Sequence, residues 1–211
     1  MSAKPEACCR ERYHKKSGLA TMKAIYYRRI DTKIGRLLLA SGEKGLCRIA
    51  LPGEEEKRFL DDLKKFYGNC LLWDEDAEGE KSPINRKAQK ELLLYLDGKL
   101  KQFSIPLDMR GTDFQKKVWC ELLKIPYGKV ATYGDIARAV GKPGASRAVG
   151  GASHKNPIPI VVPCHRVVGA NGSLVGYGGG LELKKKLLDL ESAPRKACTK
   201  ENTVMILKQE E

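Results

Sequence analysis

Hydrophobic and polar residues alternate along the first half of the chain with the period of half-buried β-strands. The stretches KAIYYRRI, from residue 23, and RLLLASGEKGLCRIAL, from residue 36, predict antiparallel strands joined by turns that contain glycine. The segments 54–66 and 85–95 place apolar residues at helical spacing and predict two helices, with the acidic stretch 74–80 between them. This order of elements indicates an α+β domain with an antiparallel sheet.

Helical spacing dominates the second half, where the elements are short. Residues 130–141 predict an amphipathic helix with Thr132 as its N-cap and Gly141 at its C-terminal end. Residues 145–153 predict a second helix that is built almost wholly of small residues. Two helices joined by a tight turn that contains glycine are typical of a helix-turn-helix motif, although a helical hairpin packed in a core is an alternative.

The last periodic segment, 181–191, predicts one more helix. Its apolar residues form a core face, and three consecutive lysines, Lys184, Lys185 and Lys186, are expected to face solvent. Glu191 closes this helix, where the helix dipole disfavours a carboxylate. Glu191 is therefore either a solvated residue at the helix terminus or a functional acid.

Composition divides the chain into four segments. Residues 1–21 are polar and basic and predict a disordered leader, and Met22 is a candidate internal start. We assign an N-terminal α+β domain to residues 22–107, a helical domain to residues 108–191 and a C-terminal tail to residues 192–211. The N-terminal domain is expected to brace the helical one.

The most informative stretch is NPIPIVVPCHRVV, residues 156–168, which places Cys164 beside His165 and Arg166. Its β-branched residues favour an extended and buried conformation, and its three prolines stiffen the chain and argue against a helix or a central strand. A base or a cation beside a thiol can lower the pKa of that thiol and make it a nucleophile. The alternative is an inert buried cysteine.

A glycine-rich loop follows this stretch. The glycines of VGYGGG, residues 175–180, allow close approach of a ligand to the backbone, and Tyr177 is the one large side chain among them. This tyrosine either stacks on a flat ligand such as a base or only fills space in the core.

The block PCHRVV, preceded by RAVGGASHKNPIPIVV and followed by GYGGG and LLDLE, closely resembles the O6-alkylguanine-DNA alkyltransferases, the methylated-DNA–protein-cysteine methyltransferases. The resemblance implies that Cys164 accepts the alkyl group, that His165 takes the thiol proton through a bridging water, and that Glu191 orients His165. It also implies that Asn156 supports the turn that carries the cysteine. A thioether product is not readily cleaved, so each molecule is expected to act once.

The same resemblance implies a fold and a substrate. A ribonuclease-H-like N-terminal domain is expected to precede a mostly helical, winged-helix-like domain. The substrate is O6-alkylguanine, and also O4-alkylthymine, in a nucleotide rotated out of the duplex. Its base would be held by Tyr133, by backbone groups near Val167, and by Tyr177 and Gly178. Val175 is expected to narrow this pocket and to slow the reaction with O6-benzylguanine relative to O6-methylguanine.

Contact with double-stranded DNA is expected through the second helix of the motif, which in this family enters the minor groove. Arg147 would fill the gap that the rotated nucleotide leaves, and Tyr133 would lie against its 3′ phosphate. The small residues Ala145, Ser146 and Gly150 would allow the backbone to approach the groove closely.

Charge and cysteine content agree with a nucleic-acid partner inside the cell. The net charge is +13, and residues 111–191 carry 12 Lys and Arg against 6 Asp and Glu, which favours binding to phosphates. Seven scattered cysteines, without a signal peptide or a membrane-spanning run, indicate a reducing compartment, cytoplasmic or nuclear. No cofactor is expected, and no zinc, because Cys8, Cys9, Cys47 and His14 lack the spacing of a zinc site. A monomer is expected.

Two other functions are compatible with parts of the pattern. A non-catalytic protein that recognises alkylated DNA would need the helix-turn-helix but not Cys164. A thiol hydrolase would use the same cysteine, histidine and glutamate, but the sequence shows no oxyanion hole for it and the DNA-binding features would be unexplained.

Overall fold

The computed structural model of the protein describes residues 23–68 and 70–192, so the predicted leader, Met22 and nearly all of the predicted tail lie outside the described residues. The first half forms a four-stranded sheet with three helices. The strands are β1 (Lys23–Thr32), β2 (Gly35–Gly42), β3 (Gly45–Ala50) and β4 (Cys70–Asp74), and the helices are α1 (Glu56–Tyr67), α2 (Glu75–Glu78) and α3 (Pro83–Leu96).

The strands lie in the order β3-β2-β1-β4. The pairs β1–β2 and β2–β3 are antiparallel as predicted, whereas β4 runs parallel to β1. Neither β4 nor α2 was predicted, because their sequence is short and α2 is acidic. Side chains of β2 alternate between the two faces of the sheet: Leu37 and Leu39 belong to the core shared with the second half, and Leu38 packs in a separate cluster with Phe59 of α1.

The second half is mainly helical. Its elements are α4 (Asp113–Leu123), β5 (Ala131–Thr132), α5 (Tyr133–Ala139), α6 (Ser146–His154), β6 (Val167–Val168) and α7 (Gly180–Glu191). Thr132 is the N-cap of α5, as predicted, and forms a capping box with Asp135. Gly141 lies just beyond the end of α5 with φ +74°, a conformation that glycine adopts without strain.

The two halves share one hydrophobic core, and backbone hydrogen bonds also join them. The segment that leads into the second half runs along β3, where the amide of Leu46 donates to the Pro106 carbonyl over 2.8 Å and the amide of Asp108 donates to the Leu46 carbonyl over 2.9 Å. The amide of Ile49 donates to the carbonyl of Pro157 over 2.9 Å. Strand β3 therefore supports the stretch of chain that leads to Cys164.

Candidate active site

The stretch before Cys164 folds into a tight turn and is not extended throughout, which corrects the sequence-based expectation. Ile160 has φ +75°, and within the described residues it is the single non-glycine residue in the left-handed region. This conformation is strained by about 1–3 kcal/mol for a β-branched side chain and must be held by its surroundings. Cys164 then begins a short 3₁₀ turn, Cys164–Arg166, that leads into β6.

Asn156 supplies part of that support. Its side-chain oxygen accepts a hydrogen bond from the amide of Ile158 over 3.0 Å, and its side-chain nitrogen donates to the carbonyl of Val162 over 2.9 Å. The same nitrogen lies 3.1 Å from Sγ of Cys164. One amide side chain thus closes the turn and donates to the sulfur, so it can stabilise a thiolate.

His165 and Glu191 form a buried pair. Nε2 of His165 lies 3.0 Å from Oε1 of Glu191, and both side chains are fully excluded from solvent. Arg166 donates from Nε and Nη2 to the same carboxylate over 2.8–3.1 Å, and the amide of Gly128 donates to Oε2 over 3.1 Å. Burial by itself would raise the pKa of Glu191, but the hydrogen bonds from His165 and Arg166 outweigh it and lower that pKa to about 2. Glu191 is therefore an ionised acid at the C-terminal end of α7.

The pKa directions describe a neutral base beside a neutral thiol. Burial lowers the pKa of His165, although its hydrogen bond to Glu191 acts in the opposite direction. Burial raises the pKa of the Cys164 thiol, and hydrogen bonding from Asn156 and the charge of Lys184 reduce this rise. Nδ1 of His165 is buried without a hydrogen-bond partner among the described residues. The imidazole can accept a proton at Nδ1 while its other nitrogen faces Glu191.

Cys164 lines a cavity of about 240 Å³ beside the helix-turn-helix. Six residues singled out from the sequence line it: Cys164, Tyr133, Gly150, Val175, Tyr177 and Gly178. Its remaining walls are Ser153, His154 and Gly176. The hydroxyl of Tyr133 donates to the carbonyl of Val175 over 3.3 Å and so connects α5 to the glycine-rich loop. A cavity of this kind can admit one flat heterocycle.

Lys184 is buried, and the prediction that it faces solvent was wrong. Its ammonium donates to the carbonyl of Val167 over 2.6 Å and to the carbonyl of Val175 over 2.7 Å. A lysine side chain is long enough to cross the core face of α7 and reach these carbonyls, whereas Lys185 and Lys186 remain exposed as expected. Val167 itself is buried and does not line the cavity, and its carbonyl already accepts from Lys184.

Of the residues expected to contact DNA, Tyr133 begins α5 and the other four lie on α6 or at its start. Ser146, Arg147 and Gly150 belong to α6, and Ala145 is its N-cap residue. Arg147 is exposed, while Val149 on the opposite face of α6 is buried in the core. The helix therefore presents one long cationic side chain among small residues next to the cavity that contains Cys164.

Sequence reasoning missed three residues that contact this site. Arg166 was considered as a partner of the thiol but pairs with Glu191 instead. Lys184 could not be told from its two exposed neighbours by spacing alone. Tyr95 of α3, in the N-terminal half, donates from its hydroxyl to Oε1 of Glu191 over 2.5 Å. A tyrosine at a core position of an apolar helix face was the available signal for this contact.

Comparison with known proteins assigns both halves of the chain. Residues 25–109 match the family model described as "6-O-methylguanine DNA methyltransferase, ribonuclease-like domain", and residues 113–193 match the one described as "6-O-methylguanine DNA methyltransferase, DNA binding domain". A methylated-DNA–protein-cysteine methyltransferase of Methanosarcina acetivorans is 44% identical over 80% of this chain and 99% of that protein. The chain belongs to the 6-O-methylguanine DNA methyltransferase family.

Other members of this methyltransferase family are similar over comparable lengths. The methylated-DNA–protein-cysteine methyltransferase of Mycobacterium leprae is 57% identical over 79% of this chain and 92% of that protein. A crystal structure of Mycobacterium tuberculosis OGT in complex with DNA matches with a TM-score of 0.66 and 42% identity, over 79% of this chain and 92% of the other. The expected fold, a ribonuclease-like sheet domain followed by a helical DNA-binding domain, is confirmed.

Among the described residues, no cluster of three or more His, Cys, Asp or Glu side chains could hold a metal ion. Of the cysteine and histidine residues considered for zinc, Cys8, Cys9 and His14 lie outside the described part of the chain. Within residues 23–68 and 70–192, no helix is both long and apolar enough to span a bilayer.

Proposed function

We propose that this protein repairs DNA by direct reversal, moving the alkyl group from O6 of guanine to Sγ of its own Cys164. The observation that carries the proposal is the position of this sulfur: it lines a cavity large enough for one base, next to a helix-turn-helix and to the buried pair of His165 and Glu191. O4-alkylthymine presents the same kind of alkyl carbon on a smaller base and is a second substrate.

The transfer balances without a cofactor. Cys164 gives its proton to Nδ1 of His165 through one water, and the imidazolium is stabilised by the Glu191 carboxylate at 3.0 Å from Nε2. The thiolate, which accepts from Asn156, attacks the alkyl carbon in line, so that a C–S bond forms as the C–O bond breaks. Guanine leaves with the bonding electron pair and takes up one proton. The products are unmodified guanine and an S-alkyl cysteine.

DNA would be bound through α6. A stacked guanine cannot bring its O6 atom to the sulfur of Cys164, a residue that is only 7% exposed, so the nucleotide must rotate out of the duplex and enter the cavity. The small residues of α6 permit close approach to the minor groove, and the exposed Arg147 would occupy the space left in the base stack. Tyr133, which lies between α6 and the glycine-rich loop, would contact the rotated nucleotide.

Single use follows from the product. A thioether offers no good leaving group, and the pair of His165 and Glu191 can activate water but cannot readily displace a thiolate from carbon. We therefore expect one alkyl group to be transferred per protein molecule. The free thiols of Cys47, Cys70 and Cys164 support an intracellular location, cytoplasmic or nuclear, where thiols stay reduced.

The test is the intact mass of the protein after incubation with a duplex that holds one O6-methylguanine. We expect a gain of one methylene, mapped by peptide analysis to Cys164, which levels off at one group per molecule. Cys164→Ala should gain nothing. The matched control is Cys70→Ser, which removes a more exposed thiol outside the cavity and should gain the same mass as the wild type.

The opposite result has a definite meaning. Tight binding to the lesion without a gain of mass would reject alkyl transfer and favour the recognition-only protein. Release of the alkyl group with turnover of many substrate molecules would favour the hydrolytic alternative.

A further inference from the structure

Tyr95 places a side chain of the N-terminal half inside the site of the second half. It lies on α3 and is completely buried. Its hydroxyl donates to Oε1 of Glu191 over 2.5 Å and lies 3.3 Å from Nε2 of His165. The oxygen that faces His165 is therefore shared by the imidazole, the Arg166 guanidinium and a hydroxyl from another part of the fold.

The direction of these hydrogen bonds follows from the charge of Glu191. A carboxylate with a pKa of about 2 is ionised near neutral pH and accepts only, so the Tyr95 hydroxyl must donate to it. Nε2 of His165 lies 3.0 Å from the same oxygen, which can only accept, so Nε2 is the donor in that hydrogen bond as well. This assigns the proton of the neutral imidazole to Nε2 and leaves Nδ1 as the proton acceptor.

The ring of Tyr95 is held in place by two aromatic neighbours. Its centroid lies 5.1 Å from that of Phe103 in a tilted arrangement and 6.0 Å from that of Tyr127 in an edge-to-face arrangement. A side chain fixed in this way loses little further entropy when it orients a carboxylate. The packing between the halves thereby sets where the Tyr95 hydroxyl lies.

We propose that Tyr95 is a positioning residue of the proton relay, through which the N-terminal half orients Glu191 and sets how strongly His165 holds a proton. This inference rests on the proposed function for its consequence in catalysis. It extends the role of the N-terminal half from bracing to a direct contact with the relay. Tyr95 acts through Glu191 and does not line the cavity that contains Cys164 and would hold the DNA base.

The sign of the effect follows from the charge on Oε1. The Tyr95 hydroxyl neutralises part of that charge, so its removal leaves the carboxylate better able to stabilise a protonated His165. Tyr95→Phe should therefore raise the pKa of His165. Other titratable or charged groups also face the pair and remain in this variant: Cys164, Arg166, Lys184, Tyr127 and Tyr177.

The test compares the wild type with Tyr95→Phe and with Tyr127→Phe. Tyr127→Phe is the matched control, because it removes a hydroxyl from the same aromatic group, one that donates to the carbonyl of Leu190 over 3.2 Å and not to Glu191. The single-turnover rate constant of methyl transfer is measured from mildly acidic to mildly alkaline pH. In the same three proteins, free of DNA, the His165 imidazole is titrated by NMR.

We expect the acidic limb of the pH profile and the NMR midpoint to move to higher pH in Tyr95→Phe by roughly half a unit to one unit. Tyr127→Phe should leave both where they are in the wild type. An unchanged midpoint in Tyr95→Phe, or an equal shift in both variants, would overturn the assignment. If the wild type transfers no methyl group, the proposed function fails, and the NMR titration still decides the role of Tyr95.

Discussion

Replacement of Lys184 by methionine tests whether a buried cation holds the glycine-rich loop next to the reactive sulfur. Methionine has a similar length and no branch, so it can follow the same path through the core face of α7. The change removes the ammonium that donates to the carbonyls of Val167 and Val175. It leaves the backbone and the apolar contacts of α7 in place.

The magnitude can be worked from these contacts. A hydrogen bond from a charged donor contributes about 1.5–3 kcal/mol, and the change removes two short ones together with a long one to the Gly176 carbonyl at 3.5 Å. The loss is offset in part, because the variant no longer buries a charge and because the Tyr133 hydroxyl still donates to the Val175 carbonyl over 3.3 Å. We expect the net result of the lost hydrogen bonds and these offsets to be a fall in the free energy of unfolding of about 2 kcal/mol.

Reactivity should fall as well. The positive charge of Lys184 reduces the rise in the pKa of Cys164, so its removal makes the thiolate harder to form. A rise of one pKa unit lowers the thiolate population, and hence the rate of alkyl transfer, about tenfold. Urea unfolding measures the first effect and single-turnover methyl transfer the second.

The control is Lys185→Met, which makes the same change at the next, exposed position of α7. It should unfold within about 0.5 kcal/mol of the wild type, as surface substitutions do, and should react at the same rate. The reasoning would be refuted if Lys184→Met unfolded and reacted like Lys185→Met. If Lys184→Met were less stable but transferred the methyl group at the wild-type rate, Lys184 would hold the loop without an electrostatic effect on Cys164.

Three further predictions concern the relay, the DNA contact and the pocket. Glu191→Gln should lower the free energy of unfolding by about 3 kcal/mol at pH 7, because it leaves Arg166 buried without its carboxylate. In the wild type this stabilisation is complete above the ordinary pKa of 4.5 and is lost as the pH falls through about 2. Urea unfolding at acidic pH should therefore give the two proteins the same free energy of unfolding. Arg147→Ala should unfold like the wild type, since the side chain is exposed, yet repair O6-methylguanine in duplex DNA about tenfold more slowly. The control substrate is the free O6-methylguanine base, and an equal loss of rate on both substrates would count against a role in base rotation. Val175→Ala should speed the reaction with O6-benzylguanine severalfold relative to O6-methylguanine, as measured by competition, and a constant ratio would show that Val175 does not limit the pocket.

Local signals were sufficient for much of the fold. The N-cap at Thr132 and the glycine after α5 can be predicted from neighbouring residues, and the structure confirms both. Strand β4 was not predicted because it is short and lies at the edge of the sheet, where its pairing with the distant strand β1 leaves no local pattern in the sequence. The turn at Ile160 escaped for a related reason: hydrogen bonds from Asn156 and Val162 hold a β-branched residue at positive φ against its own preference.

The sequence by itself determined the chemistry that this protein carries: a cysteine beside a histidine, an acid at the end of the last helix and a helix of small residues with one arginine. These are choices of residue type at short spacing, and a single chain segment shows them. Only the tertiary structure decided the partners. It brought Glu191 to His165 across 26 positions and Tyr95 to Glu191 across 96, and it buried Lys184 while Lys185 and Lys186 stayed in solvent. Such contacts depend on how helices and sheet pack together. The pattern of hydrophobic and polar residues in one segment does not specify which other segment packs against it.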